Sequence, residues 1–134
     1  MIRATALPRL FVLVSAPGAA EDRSLVPTLE DHPDVCPEQP AEPAWMRNLP
    51  ARDAHKRLLV QQIYRAQSME RIIDAQACSC PTRYPPWDAA GSVYFDRYAA
   101  ADYWAIVEAT SGYRRKANAL RLKAMPICKA AGNW

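Results

Sequence analysis

The chain has 134 residues, a formal net charge of +3, 12 prolines and four cysteines. Without Arg3 and Arg9, 15 basic residues stand against 14 acidic ones, a near-neutral balance that argues against nucleic acid as a partner. The charge is segregated: residues 21–50 carry seven acidic and two basic residues, and residues 51–134 carry seven acidic and thirteen basic.

Residues 1–20 read as a signal peptide. Arg3 and Arg9 give a positive start, and Leu10 to Ala16 form a short apolar core. Gly18-Ala19-Ala20 supplies small residues before a cleavage point at Glu21. No other stretch approaches the ~20 apolar residues of a membrane span, so the mature chain is expected to have no transmembrane segment. The expected localisation is periplasmic, reached through a cleavable signal.

Residues 21–50 read as an acidic, Pro-rich arm. Pro27, Pro33, Pro37, Pro40, Pro43 and Pro50 recur among Asp and Glu. Each removes a donor and bars its predecessor from helix. The arm is expected to be extended, with Ala44-Trp45-Met46 docking. Its charge suits it to fold back on the basic body or to meet a basic partner.

Residues 51–134 read as a helical domain. A first helix is predicted over 51–77, with Leu59, Ile63, Ala66, Met69, Ile73 and Ala77 on one face. Pro81, Pro85 and Pro86 end it, and Asp88 reads as the N-cap of a second segment. In that segment Val93, Tyr94, Ala101, Trp104 and Ile106 continue an apolar face. The final segment has the strongest period. Tyr103, Ile106, Thr110, Tyr113, Ala117, Leu120, Ala124, Ile127 and Ala131 recur in steps of three and four, the seam of a long helix. Gly112 weakens it, and Pro126 is expected to kink or restart it near Met125. The seam suits closure within one chain or between two, which leaves the oligomeric state open. The fold class is therefore all-α: a small disulfide-stapled helical hairpin or three-helix bundle with an extended Pro-rich N-terminal arm.

A body this small buries a thin core, which gives weight to Cys36, Cys78, Cys80 and Cys128. In an exported chain they read as two structural disulfides. A Cys78–Cys80 bond would close a strained ring. One of the two is expected to join Cys128, which suits an antiparallel hairpin, and the other Cys36, which would pin the arm. Two rivals use the same sulfurs. One is a soft metal ion held by Cys78, Cys80 and Cys128 near Met125. The other is a redox-active Cys-x-Cys, with Arg83 the one cation close in sequence.

Catalytic constellations are missing. His32 and His55 are the two histidines. Glu70 and Asp74 share a helix face, but with Arg71 alongside they read as a salt-bridge surface. No enzyme activity, cofactor or metal site is expected. The aromatic residues crowding positions 84–113 are more suggestive, because Tyr and Trp dominate protein-contact hot spots. The candidate partner-binding residues are Tyr84, Pro85, Pro86, Trp87, Tyr94, Tyr98 and Trp104; the plainer reading makes these rings core.

Three runs carry a resemblance: Cys78-Ser79-Cys80-Pro81-Thr82-Arg83-Tyr84-Pro85-Pro86-Trp87, Ala109-Thr110-Ser111-Gly112-Tyr113-Arg114-Arg115, and Met125-Pro126-Ile127-Cys128 through Trp134. Over residues 70–134 the chain resembles small exported proteins found among conjugation and type IV secretion genes of Gram-negative bacteria. The resemblance implies a periplasmic accessory role in a transfer apparatus, with protein partners in the cell envelope. The rival expectation is a periplasmic metal-binding or thiol-redox protein.

Overall fold

The computed structural model describes residues 36–134. The expected signal peptide, the start of the arm and His32 lie outside the described residues. Helix is the regular structure found among them: α1 (Ala44–Arg47), a 3₁₀ turn (Ala51–Asp53), α2 (Ala54–Ala75), α3 (Cys80–Arg83), α4 (Asp88–Arg97) and α5 (Tyr103–Ala130).

Helix α2 is the hub, and its largest interface is with α5. His55 meets Tyr103, Arg65 donates to Asn118, and Cys78, just past α2, is bonded to Cys128. Partner numbers rise together, so α2 and α5 run parallel. This corrects the expected antiparallel hairpin. The chain reverses twice: α4 starts beside Gln67, whose side chain donates to the Ala89 carbonyl, and α5 starts back beside His55. The result is an up-down-up arrangement of three helices.

The core has two parts. Near the start of α2, Met46, Leu59, Val60, Ile63, Ala90, Tyr94 and Ile106 pack together. Near its end, Ile72, Cys78, Ala124 and Cys128 form a second cluster. Leu59, Ile63 and Ala66 are buried as their spacing predicts, but Ile72 is buried where Ile73 was expected, and Ala77 is exposed. The reason is that α2 is covered on two sides, by α4 and by α5, so its buried surface is wider than one stripe. On α5, Ile106, Thr110, Ala117, Ala124 and Cys128 are buried, whereas Tyr103 and Ala131 are exposed. Buried Ser68 and Thr110 satisfy their hydroxyls by donating to the carbonyls four residues back.

Helix ends account for several residues. Asp88 lies in the first turn of α4 and Trp87 takes the cap position, a correction to the expected Asp88 cap. The true acidic cap is Asp102, whose Oδ1 accepts the Ala105 N–H at 3.0 Å. It breaks the apolar run expected to continue from Val93 to Ile106 and starts α5. Pro126 does not restart α5, which continues through it. Pro126 and Leu122 are both exposed, so the carbonyl left without a donor lies on the solvent side. Helix α2 ends at Gln76, whose φ of 49° is left-handed and whose Nε2 donates to the Ile73 carbonyl at 2.6 Å.

The end of α5 is a Schellman motif. The Asn133 N–H bonds the Cys128 carbonyl at 2.8 Å and the Gly132 N–H bonds the Lys129 carbonyl at 3.1 Å. Gly132 supplies the required left-handed φ of +71°. Gly132→Ala is expected to cost about 1 kcal/mol. An added Cβ would meet nothing within 4 Å, so that cost is conformational rather than steric. A urea unfolding midpoint checks it; an unchanged midpoint would contradict the assignment.

Residues 36–50 dock on the body. Cys36 is buried, Met46 is fully buried, and Trp45 is half-buried against Tyr94 and Phe95. Glu42 accepts from Arg57 at 2.7 Å and from Gln61 at 2.5 Å. Little of this stretch is regular structure beyond the single turn of α1, as its prolines dictate. On the 3₁₀ turn, a hydrogen bond from Lys56 holds the Asp53 carboxyl below the usual carboxylate range.

Candidate functional site

The sulfur turn is built by two abrupt changes of backbone. After Gln76 the chain leaves α2. Ser79 is extended, and Cys80 then opens the single turn α3, with Pro81 in its first turn, where no donor is needed. The Ser79 and Thr82 hydroxyls share a hydrogen bond of 2.8 Å across that turn. The two cysteines thereby reach different partners. Cys78 bonds Cys128 with a Cα separation of 4.9 Å, and Cys80 bonds Cys36 at 5.5 Å. Of the two cysteines open to Cys128 on sequence grounds, Cys78 takes it. Both separations lie in the normal disulfide range. Among the described residues no cysteine is free, and no three His, Cys, Asp or Glu side chains come together as metal ligands.

Arg83 does not face a thiolate. Its guanidinium donates to the main-chain carbonyl and the Oδ1 of Asn133, and it lies over the rings of Tyr84 and Trp134 at 5.1 and 5.0 Å. Asn133 is buried and its Nδ2 donates to the Cys78 carbonyl at 2.7 Å. Arg121 covers the Trp134 ring at 5.3 Å. Residues 132–134 therefore lock the sulfur turn onto the end of α5. Sequence reading missed Asn133. Its signal was its place directly after a glycine that ends a helix.

The Tyr84-Pro85-Pro86-Trp87 turn is an anchor. Pro85 is buried and its carbonyl accepts the Tyr64 hydroxyl at 2.8 Å. Trp87 is half-buried, stacked on Tyr64 at 3.8 Å, and its indole N–H reaches the Pro40 carbonyl at 3.0 Å. Burial pushes the Tyr64 phenol above its usual range. Tyr84 is half-buried and Pro86 exposed.

The other candidate contact residues separate by depth. Tyr94 is buried and stacked on Trp45, with ring centroids 5.6 Å apart, so it offers no surface to a partner. Tyr98 is half-buried, edge-on to Tyr113, whose phenol is pushed up by burial and by its hydrogen bond with Tyr98. Trp104 is 75% exposed, beside Tyr103 at 53%, with Phe95 at 55% on α4. Phe95 and Tyr103 were in the aromatic run but not among the candidate contact residues; composition does not say which rings face out.

The remaining polar candidates do not form a catalytic group. His55 packs edge-on against Tyr103 at 4.8 Å. Glu70 pairs with Lys116 of α5 at 2.5 Å, and Asp74 is exposed. The salt-bridge partner thus comes from the neighbouring helix rather than from Arg71. No family model matches the chain, and neither a curated protein nor a solved structure matches it.

Proposed function

We infer that this chain is a protein-binding module of the bacterial cell envelope, a periplasmic accessory of a type IV secretion or conjugation apparatus. The observation that carries the reading is Trp104, 75% exposed and edge-on to Tyr103 on a body stapled by two disulfides. A large ring left in water on a covalently braced scaffold is suited to fill a pocket on a partner. The disulfides suit an oxidising compartment. The resemblance of residues 70–134 to exported proteins of transfer gene clusters supplies the apparatus.

The test is capture from a solubilised envelope extract with tagged protein, alongside DNA transfer in a deletion strain. Secretion components are expected in the captured fraction. Trp104→Ala should weaken the isolated contact about thirtyfold. Because Trp104 lies outside the core, the same change should leave stability within about 0.5 kcal/mol. Recovery of no secretion component, together with normal DNA transfer in the deletion strain, would overturn the reading.

A further inference from the structure

A groove of about 440 Å³ runs along α4 where the arm crosses it, lined by Pro43, Trp45, Trp87, Phe95, Asp88 and Asp96. Its rings are held before any ligand arrives. Trp45 is stacked on Tyr94 and tilted against Phe95 at 4.8 Å. Trp87 is fixed by Tyr64 and by the Pro40 carbonyl. The Trp45 ring packs beside Gly91 on the helix, where even a Cβ would make ordinary contact with it at 3.9 Å. Ordered rings cost a ligand little side-chain entropy.

The charge at this groove is unbalanced. Asp88 and Asp96 are exposed, and neither takes part in an ion pair among the described residues. They stand eight residues apart on one face of α4, roughly 12 Å along the axis. Aromatic faces beside unpaired carboxylates suit a cation, and a guanidinium suits both because it stacks flat and forks onto a carboxylate. In an extended chain, residues four apart share a side and are separated by about 13 Å. The geometry points to an extended peptide segment with two arginines four residues apart as the occupant of this groove. This rests on the protein-binding reading and names the chemistry of the partner. Asp96 is the stronger ligand, because it lies in the last turn of α4, where the helix dipole is negative. Asp88 already offsets the positive end.

The probe is a capped nine-residue peptide of small neutral residues with arginines four apart, titrated into the isotope-labelled protein and followed by NMR. The control has the same composition with adjacent arginines. Shifts confined to residues 43–45 and 87–97 are expected, with the spaced peptide binding about tenfold tighter. Asp96→Asn and Phe95→Ala should each weaken it about fivefold. Both side chains are exposed, so circular dichroism should be unchanged. Equal binding of the two peptides, shifts elsewhere, or tighter binding of an uncharged proline-rich peptide would overturn the proposal. Envelope capture with Asp88→Asn/Asp96→Asn separates the two levels. If the unaltered protein captures nothing and DNA transfer in the deletion strain is normal, the protein-binding reading fails. If it and the variant capture the same partner equally, the groove proposal alone fails.

Discussion

Replacing Cys78 and Cys128 together by alanine is expected to remove about 4 kcal/mol of stability. The bond spans 50 residues, and closing a loop of that length withdraws about that much free energy from the unfolded chain in the loop-entropy treatment. A domain of this size has only about 5–15 kcal/mol in total. The pair substitution avoids leaving one thiol unmatched. Chemical unfolding followed by circular dichroism measures the loss. The Cys36–Cys80 bond spans 44 residues, so the same treatment gives nearly the same figure for Cys36→Ala/Cys80→Ala. The two variants should differ in what loosens. Loss of Cys78–Cys128 should raise amide exchange around Ile72 and Ala124, and loss of Cys36–Cys80 should raise it in residues 36–47. Unchanged unfolding midpoints in both would show that neither bond braces the fold.

Met46→Ala is expected to cost between about 2 and 5 kcal/mol. Met46 is fully buried and packs with Leu59, Val60, Ile63 and Tyr94, although it belongs to the proline-rich arm. Truncation leaves a cavity among α2, α4 and the start of α5, whose side chains are already fully packed. Leu122→Ala serves as the control; Leu122 is 72% exposed and its loss should change stability by less than about 0.5 kcal/mol. Thermal and urea unfolding of both variants decide the point. A Met46 effect as small as the Leu122 effect would make the arm a covering rather than a part of the core.

The helices were legible because their signals are local. The steps of three and four from Tyr103 onward give α5 almost to the residue, whereas the first helix stops at Ala75 through the left-handed Gln76, short of the prolines expected to end it. Helix direction was not legible. A seam of apolar residues is satisfied equally by a parallel and an antiparallel neighbour, and what decides between them is the return path through α4. That path depends on the break at Asp102, a cap that the continuing apolar pattern from Val93 to Ile106 concealed. Pairing of Cys128 with Cys78 rather than Cys80 was equally hidden, because the choice is made by the extended Ser79.

The site was legible in composition and not in depth. Trp87 and Trp104 look alike in sequence, yet one stacks against Tyr64 and the other is largely in water. Trp87 precedes α4 and meets α2, whereas Trp104 lies in the first turn of α5, off the face that carries Ile106. Arg83 shows the same limit. Its closeness to the cysteines suggested thiol chemistry, but the fold brings it Asn133, fifty positions away.

The order of the cysteines along the chain sets the demands of assembly. The bonds Cys36–Cys80 and Cys78–Cys128 interlace, so neither loop contains the other. An oxidant acting on thiols as they emerge from the N-terminal end meets Cys36 and then Cys78, and joins them wrongly. Reaching the final connectivity then requires that bond to be exchanged after Cys80 and Cys128 have arrived. Under strictly sequential oxidation, maturation of this fold would thus call for thiol–disulfide shuffling as well as oxidation. Oxidation after folding would need no such exchange, because the fold itself brings each cysteine to its final partner.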